Sequence, residues 1–208
     1  MGLRRATDSS GLRRVETREY ARDTEGLLLQ LHDPDASLRR WAARDLATHP
    51  AAVTALCQHL AQEADHSVRE VIFTSLGMIG GDAVVRGLIP LLRSESPQLR
   101  NGAIELLASL PDAVAPHVQA LLTDSDPDVR IFTLNMLTDL NHPDVEAWLN
   151  QVLEHDPHVN VVAAALEVAA EAGSATLRPA IKLARQRFAD DVFIGFAADL
   201  AEQRIEST

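Results

Sequence analysis

One cysteine, Cys57, stands in a chain of 208 residues, so a disulfide framework is excluded. It falls on the apolar side of a predicted helix, which reads as a buried, inert thiol and not a nucleophile. Aromatic residues make up only 4% of the chain. That scarcity argues against a β-sandwich core and against a surface built to stack nucleobases. No apolar run reaches the ~18 residues needed to cross a bilayer, so no membrane partner is expected. Paired arginines near the N-terminus are not followed by the apolar stretch of a secretory signal, and a cytoplasmic location is the expectation. Basic residues are also few, 19 against 30 acidic, for a net charge of −11. Such a chain repels phosphate backbones, so nucleic acid is not expected as a partner. The basic excess is confined to residues 1–23, where six Arg meet four acids; the remainder carries 13 basic and 26 acidic residues, a net of −13.

What the chain has in quantity is Ala, Leu and Val, within 46% hydrophobic content, and a repeat. A polar turn, an aliphatic residue followed by Arg, and a small-residue helix recur at Leu38-Arg39, Val68-Arg69, Leu99-Arg100 and Val129-Arg130. Val159-Asn160 and Val192-Phe193 continue the series in altered form, giving spacings of 30, 31, 30, 30 and 33 residues. A fixed period in this range predicts a solenoid, in which each unit buries its apolar face only by stacking on a neighbour.

Each unit reads as helix A, turn, helix B, turn. The A helices are predicted near 24–32, 53–62, 83–93, 114–123, 144–154 and 176–187, and the B helices near 36–48, 66–79, 97–109, 127–140, 157–172 and 190–204. Asp33-Pro34-Asp35, Ser96-Pro97 and Asp126-Pro127 place a cap and a first-turn proline, whose missing N–H has no partner to lose there. Gly80-Gly81, Pro111, Pro143 and Gly173 separate the units by stopping a helix or supplying a positive φ. Residues 1–22 read as an Arg-rich, partly disordered arm and 23–208 as one repeat domain.

Aligned on their anchors, the B helices have an aliphatic first column throughout. The fifth column is small or apolar: Ala42, Ile72, Ala103, Thr133, Ala163 and Phe196. The i, i+4 spacing puts both on one face, the predicted core. The run Asp-Pro-Asp-x-x-Leu/Val-Arg before an Ala-rich helix resembles HEAT-like repeats of the phycobilisome-lyase type, over about residues 24–204. The resemblance implies an all-α, right-handed α-solenoid of five to six repeats. It also implies a ladder of turn acids and helix-B arginines joining neighbouring units, with Asp35 and Arg39, Asp65 and Arg69, and Asp128 and Arg130 as candidates, Arg100 facing Glu95, and an end after the fourth unit.

No pattern of reactive groups emerges. The cluster His155-Asp156-Pro157-His158 lies far from the lone cysteine and lacks the four fixed ligands of a structural zinc site. No nucleophile-elbow glycine pattern surrounds any serine, and Gly77 to Gly81 ends a helix without a preceding strand, so it is no phosphate loop. The expectation is therefore no catalytic residue, no metal and no cofactor. DNA glycosylases built on similar repeats need a basic concave surface, which this acidic chain does not offer.

The resemblance places the B helices on the concave side. The B-helix columns that should face outward are the third (Arg40, Glu70, Asn101, Ile131, Val161, Ile194) and the seventh (Arg44, Thr74, Glu105, Asn135, Ala165, Ala198). Both turn from polar to apolar along the chain, and an exposed stripe of Ile131, Val161, Ala165 and Ile194 would want a partner. The reading is a non-catalytic adaptor or scaffold that binds another protein through Arg40, Arg44, Glu70, Glu105, Ile131, Asn135, Val161, Ala165 and Ile194. Self-association through the C-terminal repeats is a second use of the same face. The alternative is a bilin lyase-like or other enzyme-associated subunit.

Overall fold

The computed structural model describes residues 20–207 as twelve α-helices in six two-helix units, with no strand among them. The A helices are α1 (Thr24–Gln30), α3 (Val53–Leu60), α5 (Asp82–Leu88), α7 (Pro111–Leu122), α9 (Val145–His155) and α11 (Arg178–Arg187). The B helices are α2 (Ala36–Asp45), α4 (His66–Ile79), α6 (Pro97–Ala108), α8 (Pro127–Asp139), α10 (Val159–Ala172) and α12 (Val192–Ser207). The predicted arm lies outside the described residues except for its last three, Tyr20 to Arg22.

Local chemistry sets the helix starts. Asp35, Asp65 and Asp126 each accept from a backbone N–H of the first turn, satisfying a donor the helix leaves unpaired. Pro97, Pro111 and Pro127 occupy first helical positions. Gly80 and Gly81, at φ 64° and 81°, turn the chain from α4 into α5, a conformation costly for any residue with a Cβ.

The core is one continuous cluster running the length of the stack. Leu38, Val68, Leu99 and Val129 each stand three residues after the capping residue of their B helix. In the last two units the caps are His158 and Asp191; Asp191 accepts from the backbone N–H groups of Phe193 and Ile194. Three residues on stand Val161 and Ile194, so these are the true anchors, and the sequence alignment on Val159 and Val192 is two residues early. The corrected fifth column is Ala42, Ile72, Ala103, Thr133, Ala165 and Ala198, all fully buried.

This register corrects the expected greasy stripe. Val161, Ala165 and Ile194 are fully buried, because they are the core columns of their helices and not outward ones. Ile131 is half-buried. The third and seventh columns of the last two units are instead Ala163 and Glu167, then Phe196 and Leu200; Ala163 is buried, whereas Phe196 is 65% exposed.

Candidate functional site

The outward face of the B helices begins with the arginine that follows each anchor. Arg39 reaches forward to the next unit and grips Glu63 with two bonds, Nε at 2.7 Å and Nη2 at 2.8 Å. Arg130 does the same to Asp156, at 2.8 and 3.2 Å. Glu63 and Asp156 each stand two residues before a B-helix cap and accept that cap residue's backbone N–H. One carboxylate thereby fixes a turn and receives a guanidinium from the layer before. Paired guanidinium–carboxylate bonds of this geometry are among the strongest polar contacts available. The ladder thus exists, with different rungs from those the resemblance implied. Asp35 and Asp65 are helix caps, and the partners of Arg39 and Arg130 come from the following unit.

The two middle arginines lack such partners. At the position equivalent to Glu63 and Asp156, the third unit carries Ser94, whose hydroxyl accepts from the Ser96 N–H at 3.2 Å. Arg69 is left with one long bond to the Ala64 carbonyl, and its buried Nε has no partner. Arg100 bonds to the Ser94 carbonyl and lies over the Phe132 ring at 4.6 Å, again with an unpartnered buried Nε. Asp124, which could have closed that rung, turns to Arg93 at 2.5 Å.

At the open rung the B helices part. A groove of about 660 Å³ lies between α4 and α6. Phe73 holds it open: its ring sits on Gly102, where a Cβ would come within 2.6 Å of the ring. The matching position of the other early units holds Ala43, Ile104 and Leu134. Phe73 and Leu106 give the groove an apolar floor, and Arg69, Gln98 and Asn101 line its polar sides. Glu70 and Glu105 stand on its rims, and Glu70 faces His66 at 3.1 Å. The volume and the mix of apolar floor and few polar groups suit a small-molecule ligand, whose pockets typically span ~300–1,000 Å³.

Of the nine residues assigned to partner binding from the sequence, Glu70 and Glu105 line this groove, and Thr74 and Asn101 of the same outward columns line it with them. Arg40 and Arg44 are exposed on α2, with Arg44 stacked 4.0 Å over Trp41. Asn135 is exposed on α8. The groove residues Phe73 and Gly102 were missed, and Arg69 was read only as a ladder member. Their signal is a bulky ring in one repeat opposite glycine in the next, beside a serine where other turns carry an acid.

Burial and pairing set the ionisation. The Arg39 guanidinium holds the Glu63 carboxyl down to about 2, with the Asp65 N–H and His59 also favouring the charge. Burial pushes the Cys57 thiol up to about 11, so it is protonated at neutral pH. Among the described residues, no group of three or more His, Cys, Asp or Glu side chains could hold a metal ion. No helix among them is long and apolar enough to cross a membrane.

Stacked helical pairs around one running core define an α-solenoid. The chain belongs to the HEAT repeat family, whose profile matches residues 24–112 and 114–195. It is 37% identical over 123 residues to the bilin biosynthesis protein PecE of Mastigocladus laminosus, a match covering 57% of this chain and 46% of that protein. The chain thus spans about half the length of this curated relative. Among solved structures it is similar to the complex of CpcE and CpcF of phycocyanin lyase from Nostoc sp. PCC7120, at 20% identity and TM-score 0.38, covering 93% of this chain and 97% of that one. It is also similar to the archaeal HEAT-like repeats protein from Thermococcus onnurineus NA1, at 14% identity and TM-score 0.44, over 88% and 87%.

The likeness to PecE overturns two expectations drawn from the sequence, that the chain is a non-catalytic adaptor and that it is not an enzyme. It favours the alternative reading, an enzyme-associated subunit.

Proposed function

We propose that the chain is a bilin lyase-like, enzyme-associated subunit that handles a linear tetrapyrrole together with a protein partner. The observation that carries this reading is the 37% identity over 123 residues to a protein of bilin biosynthesis. The groove between α4 and α6 supports it. Flat conjugated rings suit the Phe73 and Leu106 floor, and the acid side chains of a tetrapyrrole suit Arg69, to which the following unit supplies no carboxylate. Asn101 and Gln98 offer further donors. The protein partner is assigned to the exposed polar face of the B helices, where Arg40, Arg44 and Asn135 stand clear of the groove.

The test is titration of the purified chain with biliverdin, following the visible absorbance band and induced circular dichroism. Saturable induced dichroism is expected. Gly102→Val, which drives a side chain into the Phe73 ring, should weaken it at least tenfold, and Arg69→Met should weaken it severalfold. A chain that gives no induced signal alone, and none after addition of a bilin-binding apoprotein, would defeat the reading.

A further inference from the structure

Among the described residues, the first and last units leave apolar side chains exposed in complementary ways. Within the chain, the sixth residue after each B-helix cap looks back at the preceding unit: Gly102 receives the Phe73 ring, and Phe132 lies under Arg100. These positions, with Val71, Ala164 and Ala197, are half-buried or buried by that neighbour. In the first unit the same position is Trp41, and it is 47% exposed. Leu29 on the adjacent α1 is 62% exposed.

At the other end apolar side chains stand exposed, with Phe196 in the outward column that holds Arg40, Glu70 and Asn101 in earlier units. Val192 is 88% and Phe196 65% exposed, and Leu183 on α11 is 39% exposed. Gly195 occupies the ladder position held by arginine in the first four units, and a Cβ there would meet nothing within 4 Å. The result is a groove of about 610 Å³ between α11 and α12, floored by Gly195, Val192, Phe196 and Phe188. The final helix is therefore only half a cap. Its C-terminal part is polar, whereas its first two turns carry exposed Val192, Phe193 and Phe196.

Charge matches helix by helix. In α2 three Arg oppose one Asp, 3 − 1 = +2, whereas in α12 one Arg opposes one Asp and two Glu, 1 − 3 = −2. In α1 one Glu stands alone, a charge of −1, whereas α11 carries three Arg and one Lys, +4. Continuing the stack in register would lay α2 on α12 and α1 on α11, pairing opposite signs in both layers.

We propose that a second copy of this chain stacks its first unit on the last unit of another, head to tail. Trp41 enters the groove over Gly195 beside Val192 and Phe196, Leu29 meets Leu183, and Arg44 is carried towards the acidic α12. The contact continues the packing that already joins α10 to α12 and is heterologous, so it propagates instead of closing. It is independent of the bilin reading.

Sedimentation of the full chain tests it. The weight-average mass should rise continuously between about 1 µM and about 1 mM, the span of weak to moderate affinity, and the rise should shrink in high salt. Trp41→Glu and Phe196→Glu should each sediment as monomers. Mixed in equal amounts they should form a capped dimer, because each retains the end the other has lost. Leu29→Glu and Val192→Lys replace them if either variant loses helicity. A wild-type chain that stays monomeric throughout would overturn the proposal. So would a Trp41→Glu variant that still self-associates, since that requires a symmetric contact between two C-terminal ends.

Discussion

The junction between units four and five and the junction between units two and three are built from the same parts and differ in two. At the first, Arg130 is gripped by Asp156, and α8 and α10 pack closely through Val161, Ala165 and Leu134. At the second, Ser94 stands where the acid should be, Arg69 is under-bonded, and α4 and α6 are held apart by Phe73. The junction between units three and four also lacks its carboxylate at Arg100, yet with Ile104 in place of Phe73 its helices α6 and α8 stay packed, so an open rung alone does not part the layers. Where an open rung and the Phe73 wedge coincide, a ligand-sized groove forms.

The comparison can be broken hardest at its closed end. Asp156→Ala should destabilise the chain by about 3–5 kcal/mol in urea denaturation, because Arg130 is then left as a buried, unpaired charge. The double variant Asp156→Ala with Arg130→Met, which removes both charges, should cost clearly less. A similar loss for both would mean that packing, not pairing, holds this junction.

At the first rung, Glu63→Gln should cost about 2 kcal/mol at neutral pH, with a pH signature. The folded-state carboxyl titrates near 2, below its ordinary value of 4.5. Its contribution is therefore fully present above pH 4.5 and lost as pH falls through about 2. The stability gap between wild type and variant should close over that window. A gap that stays constant with pH would show that the shift is not the source of the effect.

At the open end the comparison can be sharpened by supplying the missing part. Ser94→Glu places a carboxylate two residues before the Ser96 cap, the register of Glu63 before Asp65. It should raise stability by about 1 kcal/mol and, by drawing Arg69 away from the groove, weaken biliverdin binding. Unchanged stability would mean that the Phe73 wedge alone sets the spacing. The smallest effect concerns Cys57, which should react with a thiol reagent at neutral pH at least a hundredfold more slowly in the folded chain than in denaturant.

Much of the fold was legible from residue chemistry. The Asp and Pro turns placed all twelve helices within a few residues, because caps and first-turn prolines act locally. The outward face of the last two units was not legible, because alignment on aliphatic residues cannot tell a core Val from a neighbouring one. In α10, where Val161, Val162 and Ala163 run together, only the position of the cap decides which faces inward. The groove escaped for a related reason. Phe73 and Gly102 are unremarkable within their own helices and acquire meaning only when one layer is set upon the next. The ladder was foreseen in kind but misassigned in partner, since its bonds join residues 24 and 26 apart in sequence and not those within one turn.

The unlatched layer has a mechanical consequence. A stack clamped by charge at its first and fourth junctions and unclamped between them bends most easily at the second, so its two halves can rock as blocks about α4 and α6. Whatever molecule wedges into that cleft then acts as a brace, setting the curvature of the whole arc and, with it, the relative tilt of the two end faces.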